Sequence, residues 1–196
     1  MTRLGAILWM ACLQFFVAEQ VVSHAWTIPY SFSTNYVSDL GATACTALVC
    51  SPWHALMNAS FVLQGLLIAG GALLTWTQWN LLGRLGLALL VVCGLGVVLV
   101  GFVPEDGNSA LHRLAAAMHF LGGGLGLFTV GLSLRRSQFG FISLAVGIAV
   151  VVVTVALGEG DGAWLQTWGV GSVERVAAYG IAGWMVIAGA WLRRMP

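Results

Sequence analysis

Lysine is missing from this 196-residue chain, and charge of either sign is scarce: 8% of the residues are Asp, Glu or Arg. An ordinary soluble domain carries about 25%. A nucleic-acid-binding surface needs a basic patch or stripe, and a formal net charge of +1 spread over eight arginines does not supply one. Nucleic acid is therefore not an expected partner. What fills the chain instead is apolar: 59% hydrophobic residues and a mean hydropathy of +0.92. For most of this chain the solvent is lipid. The one long interruption, from Pro29 to Asn58, has no Lys or Arg at all, yet holds Asp39, His54 and two of the four cysteines.

Crossing a hydrocarbon core of about 30 Å takes roughly 20 mostly apolar residues in helical form. Six segments meet this, at about 4–24, 54–77, 81–103, 111–133, 138–157 and 173–193, with a long loop over 25–53. The fold expected is all-α: a six-transmembrane-helix bundle forming a single transmembrane domain over residues 1–196. The first segment carries Arg3 and a small-x-small triplet at Ser23-His24-Ala25, but its apolar run is longer than the core of a secretory signal, so it reads as a retained helix. Arg3, Arg84, Arg135, Arg136, Arg193 and Arg194 fall at the chain ends and in alternate short loops. By the positive-inside rule both termini are cytoplasmic, in a multi-pass protein of the plasma or inner membrane. The remaining arginines, Arg113 and Arg175, stand at outer helix ends beside acids.

Gly94 and Gly96, Gly122 to Gly124, Gly126, Gly180 and Gly183 are expected to let helix backbones approach closely, as small residues do in membrane bundles. Trp26, Trp53, Trp76, Trp79, Trp164 and Trp168 lie near the expected interfaces, where indole rings normally sit. Neither group calls for a functional explanation.

Chemistry is concentrated on the outer side. Cys45 and Cys50, five residues apart in a loop outside the cytoplasm, are placed for a local disulfide. Ionisable groups within a membrane segment are costly and therefore functional candidates. Glu19 lies below the outer end of the first helix. His54 and Asn58 share a face of the second, Ser109, His112 and His119 a face of the fourth, and Glu174 and Arg175 open the sixth, with Tyr179 a turn deeper. Converging, these faces make an outward polar pocket lined by Asp39, His54, Asn58, His112, His119, Glu174 and Arg175, floored near Glu19, Asn58 and His119. Arg175 or Arg113 would meet an anionic headgroup there. The plainer alternative is a register-fixing network, with Glu19 paired to His119 or Asn58 and the two outer arginines neutralising Glu105, Asp106 and Glu174.

Zinc is a further candidate, because three histidines and a carboxylate are its usual ligand types. His112 and His119 are about 10.5 Å apart along their helix axis, too far to share one ion, so the set to test is His54, His112 and Asp39. In the last outer loop, Glu159 and Asp161 offer oxygen ligands for a hard cation.

Several of these residues also carry a resemblance. Asn35-Tyr36-Val37-Ser38-Asp39-Leu40-Gly41, Ser51-Pro52 with Asn58, Phe102-Val103-Pro104 with His112 downstream, and Gly171-Ser172-Val173-Glu174-Arg175 resemble the signatures of the prokaryotic membrane family filed as domain of unknown function 998. The resemblance runs from about residue 5 to 193 and implies a six-helix fold with a shared set of outer polar positions. A more distant likeness is to the alkaline ceramidases and adiponectin receptors, seven-helix zinc hydrolases. Here there are six helices, and neither Ser-x-x-x-His nor His-x-x-x-His occurs.

The expectation that follows is a membrane protein whose outer pocket binds a small or lipidic ligand, with membrane lipid as its surroundings. The alternatives are a metal-dependent intramembrane hydrolase of lipids, a transporter or proton relay, and a structural subunit. No catalytic residue and no oligomeric state is specified by these features.

Overall fold

Six helices of membrane-crossing length and apolarity form the computed structural model, which describes residues 1–160 and 162–194. The first runs over Thr2–His24 as two pieces, α1 (Thr2–Ala11) and α2 (Gln14–His24). They are joined where the backbone tightens to i→i−3 bonding: Cys12 N–H donates to the Trp9 carbonyl and Phe15 N–H to the Cys12 carbonyl, each at 3.2 Å. Gln14, at the joint, is clamped to the next helix. Its Nε2 donates to the Ser60 carbonyl at 3.2 Å and to Gln64 Oε1 at 3.1 Å, and Ser60 Oγ donates back to it at 2.8 Å. These two glutamines hold a helix junction.

The others are α3 (His54–Thr75), α4 (Leu81–Phe102), α5 (Ser109–Ser133), α6 (Gln138–Glu159) and α8 (Val170–Arg193); a short α7 (Ala163–Trp168) precedes the last. Boundaries differ from hydropathy by a few residues because polar caps set them. Asn108 Oδ1 accepts from Leu111 N–H at 3.1 Å and starts α5 two residues earlier than the apolar run. α8 starts at Val170 because Gly169, at φ +78°, turns the chain in a conformation L side chains rarely adopt. Asp161, one of the two acids weighed for a hard cation, lies outside the described residues.

Each helix packs on its sequence neighbours, and α8 packs on both α6 and α1, so the six close into a ring with α8 also touching α5. Small residues set the spacing. A methyl at Gly94 would come 2.6 Å from the Gly65 carbonyl oxygen, and one at Gly96 would come 2.7 Å from that of Ala115, so α4 lies nearly backbone to backbone with both neighbours. Gly183, expected to serve the same purpose, faces open space.

The two ends of the ring differ. Towards the chain termini aromatic rings pack its interior: Trp184 meets Trp9 edge-on at 5.7 Å and stacks with Phe139 at 5.5 Å, and its Nε1 donates to Ser143 Oγ at 2.8 Å. Trp79, expected at the interface, is 6% exposed and joins this cluster through Trp191. Trp26 likewise turns inward, against Tyr30. Towards the long loop the ring is hollow.

Candidate functional site: the recess under the first loop

Residues 25–53 fold into a roof over the hollow end. The turn that matters is the single 3-10 turn at Ser38–Gly41. The Asp39 carboxylate accepts from Tyr36 N–H at 2.9 Å and from Asn35 Nδ2 at 3.3 Å, which closes the chain on itself. That closure presents Val37 N–H to Glu174 Oε2 at 2.5 Å and Ser38 Oγ to Glu105 Oε2, also at 2.5 Å. Asp106, beside Glu105, accepts from the N–H groups of Thr43 and Ala44 and from the Thr43 hydroxyl at 2.6 to 2.9 Å. Asn58 Nδ2 donates to the Gly41 carbonyl at 2.9 Å, and Ser51 Oγ to that of Leu40 at 2.7 Å. The expected disulfide between Cys45 and Cys50 closes the exposed part of the loop.

One ionic pair braces the roof from beneath. Arg175 Nε donates to Glu19 Oε1 at 2.9 Å, with Glu19 wholly buried and Arg175 6% exposed. Arg175 Nη1 reaches the carbonyls of Phe32, Asn35 and Gly171 at 2.7 to 3.0 Å, and Nη2 donates to the Tyr30 hydroxyl. Tyr179 Oη completes Glu19 at 2.7 Å. The guanidinium also lies against the rings of Tyr30 and Phe32, at 5.5 and 4.9 Å. Glu19 thus pairs with Arg175, not with His119 or Asn58. Nor does Arg175 form an ion pair with Glu105 or Asp106: its Nε is committed to Glu19, its Nη1 to three carbonyls and its Nη2 to Tyr30. Among the described residues this is the only ion pair, so Arg113 forms none with the acids beside it either.

Two adjoining hollows with shared lining residues lie beneath the roof. The deeper, of about 40 Å³, is lined by Val37 and Ser38 above, by His112, His119 and Glu174 at the side, and by Phe15, Phe61 and Gln64. It has room for a few water molecules. The outer recess, of about 490 Å³, shares Ser38, His112, Ala116, Phe120 and Glu174 with the first. It adds Tyr36, Glu105, Asp106, Ser109, Arg113 and, from α6, Thr154, Leu157 and Gly158.

Burial and hydrogen bonding set the electrostatics. Burial first, and then the hydrogen bond to Asp39, push the Glu105 carboxyl up to about 8, against the opposing effect of the Ser38 hydroxyl, so it is protonated at neutral pH. Burial raises Asp106, but the hydrogen bonds from Ala44 and Thr43 outweigh it and hold that carboxyl below its usual range. Burial, and then Glu174, Asp39 and Glu105, raise the Tyr36 phenol. His112 Nδ1 lies 2.7 Å from the Val103 carbonyl, which can only accept, so the proton of a neutral ring is on Nδ1 and Nε2 keeps its lone pair. His119 is tied to Cys93 through its carbonyl at 3.1 Å and its sulfur at 3.3 Å.

His112, His119 and Glu174 therefore meet at one cavity, and Asp39 reaches it through Glu105. Glu19 and Arg175 stand apart in their own pair. His54 bonds to its own turn, Nδ1 to the Ser51 carbonyl at 2.9 Å, and Asn58 to the roof; neither lines the hollow. The floor is Phe15, Phe61, Gln64 and His119, in place of Glu19, Asn58 and His119. The His54, His112 and Asp39 set does not assemble: among the described residues no three His, Cys, Asp or Glu side chains form a group that could hold a metal ion. Sequence reasoning missed Ser38, Glu105 and Phe120 as lining residues. Glu105 carried a signal as an acid beside a second acid on the same side as Asp39, and Ser38 as part of the Asn35–Gly41 stretch; Phe120 carried none.

A ring of six apolar helices long enough to cross a membrane, capped at one end by a polar loop over a carboxyl- and histidine-lined recess, defines an all-α protein with six candidate membrane spans and a candidate site at one end. The chain belongs to the DUF998 family, described as a protein family of unknown function, whose model matches residues 9–191. That range takes in the roof, Glu105, the α5 histidines and Glu174. No curated protein and no solved structure matches the chain.

Proposed function

We propose that this protein is a multi-pass protein of the plasma or inner membrane that binds a small or lipidic ligand in the recess beneath its first loop. Arg3, Arg84, Arg135, Arg136, Arg193 and Arg194 belong to the end of the ring that carries the chain termini. The positive-inside rule puts that end in the cytoplasm and the recess on the outer face. The observation that carries the reading is the recess itself. Its volume of about 490 Å³ falls in the range of small-molecule sites. Its lining joins polar residues (Ser38, Glu105, His112, Glu174) to an apolar part (Ala116, Ala117, Phe120, Leu157), which suits an amphiphile.

The test is to fill the recess without touching its polar groups. Ala117→Phe adds a ring at the apolar wall. Detergent-purified wild type and variant are extracted, and co-purified small molecules and lipids are quantified by mass spectrometry. A species held by the wild type and depleted in the variant supports the reading. Equal retention in a variant that elutes as the wild type does would refute it.

A further inference from the structure

We propose that the end of the ring opposite the recess binds a phosphate-bearing anion, carried by a phospholipid headgroup or by a small soluble molecule, in a pocket walled by the two ends of the chain. The pocket has a volume of about 320 Å³ and shares no residue with the recess. Its polar lining is Thr2 and Arg3 from the first turn of α1, Gln78 and Trp79 from the α3–α4 connection, and Arg193 from the last turn of α8. Leu134 and Trp191 supply apolar surface beside them. Thr2, Gln78 and Arg193 are terminal residues of three membrane-length spans, so in a bilayer the pocket sits at headgroup depth.

The first observation is charge without a partner. Arg3 and Arg193 lie near opposite ends of the sequence, and the packing of α8 on α1 brings both to one pocket. Neither makes a hydrogen bond or ion pair with a described residue; the one ion pair, Glu19 with Arg175, belongs to the roof. No carboxylate lines the pocket. Two guanidinium groups sharing a pocket repel each other, and a bound anion reverses that cost. Each guanidinium is a planar fork of N–H donors with no acceptor, a shape that matches the oxygens of phosphate.

The second observation is independent of charge. Trp79 is 6% exposed, and its Nε1 has no partner in the protein. Buried N–H groups are normally satisfied, and an indole Nε1 can only donate. A methyl at Gly83 would lie 2.9 Å from Trp79 Cε3, so the ring lays that edge on α4 and turns its Nε1 edge the other way. The remaining walls of the pocket come from α1, α5 and α8. An acceptor is what this N–H lacks, as it is what Arg3 and Arg193 lack.

The neighbouring hollow at the α5–α6 turn supplies a contrast. It shares Leu134 and is lined by Arg135 and Arg136, both exposed, but by no buried donor without a partner. The same charge therefore stands at the same end of the ring without the built pocket.

The full chain in detergent is offered equimolar phosphatidylglycerol and phosphatidylcholine of the same acyl chains, and retained lipid is read by native mass spectrometry; glycerol 3-phosphate binding is titrated separately by calorimetry. Both measurements are repeated on Arg3→Gln/Arg193→Gln and on Arg135→Gln/Arg136→Gln, which remove equal charge from the two hollows. Phosphatidylglycerol retained about tenfold above phosphatidylcholine, with the preference lost in the first variant and kept in the second, supports the proposal with a lipid source, since a charge-assisted hydrogen bond is worth about that factor. Saturable glycerol 3-phosphate binding without lipid preference, lost and kept in the same variants, supports it with a soluble source. Equal losses in the two variants would reduce the effect to net charge and overturn it. So would a preference unchanged in Arg3→Gln/Arg193→Gln, or binding of neither probe by the wild type. If Arg3→Gln/Arg193→Gln does not fold, Trp79→Phe decides, because it removes one N–H and no charge: binding weakened about threefold or more supports the proposal, and unchanged binding overturns it. The recess is tested separately by Ala117→Phe, so either reading can fail without the other.

Discussion

Glu19→Gln isolates the charge of the buried pair from its shape. The amide keeps the length of the side chain and an acceptor oxygen, so Tyr179 and Arg175 lose little packing. What disappears is the countercharge to a guanidinium that is 6% exposed. Removing one partner of a buried pair typically costs about 3–5 kcal/mol. Here Arg175 keeps three backbone carbonyls, the Tyr30 hydroxyl and two aromatic faces. The loss for Glu19→Gln should therefore sit near the lower end, about 3 kcal/mol. Arg175→Met leaves a fully buried carboxylate with Tyr179 alone, and also unties Phe32 and Asn35, so it should cost nearer 5 kcal/mol. The double variant Glu19→Gln/Arg175→Met removes both charges and should be well short of the summed singles, with a coupling of about 2 kcal/mol. Unfolding in mixed micelles, followed by circular dichroism, measures all three. Single losses below about 1 kcal/mol, or additive ones, would refute the assignment of this pair as the brace of the roof.

Glu105 should make stability depend on pH. Its folded value of about 8 lies above the 4.5 of the free side chain, so the native state holds a proton the unfolded chain gives up. That contribution is complete below about pH 4.5 and is lost as pH rises through about 8. Thermal melts at pH 5 and 9 should show Glu105→Gln close to wild type at the lower pH and more stable at the higher one; parallel behaviour would show that Glu105 titrates normally. Reduction, or Cys45→Ser, should loosen only the tip of the loop, because the bridge closes a five-residue separation while the roof is held by Glu174, Glu105 and Asn58. Protease cleavage confined to residues near 45–50, with the melt nearly unmoved, is the expected readout. Gly94→Val should drive α3 and α4 apart and cost several kcal/mol, whereas Gly183→Ala, facing open space, should be near neutral. Equal effects would mean that the α3–α4 approach is not close.

The spans were legible because lipid reads composition locally. A run such as Leu81–Phe102 is apolar whichever neighbours it meets, and a bilayer needs nothing else to make it a helix. The disulfide was legible for a similar reason: five residues of separation leave Cys45 and Cys50 few places to be except near one another. The outer polar residues were visible as types, since an acid or histidine in such sequence stands out at once. Their partners were not visible. His112 and Glu174 are 62 residues apart in sequence and meet because α5 and α8 touch across the ring, while His54, on an equally polar face, is spent on Ser51 one turn away. The closing of α8 against the first span brings Arg175 to Glu19 of α2, and no helix periodicity encodes which of seven acids a given arginine will meet.

By itself, then, the sequence determined that this chain is a bundle of six apolar helices with its polar chemistry gathered at the loop-rich end, because hydropathy, charge asymmetry and spacing act within one segment at a time. Only the tertiary structure decided that Glu19 and Arg175 brace the roof while Glu105, Glu174 and His112 line a hollow. Pairing among buried polar groups depends on which helix faces close around the ring, and each group takes whichever partner that closure brings within hydrogen-bond reach.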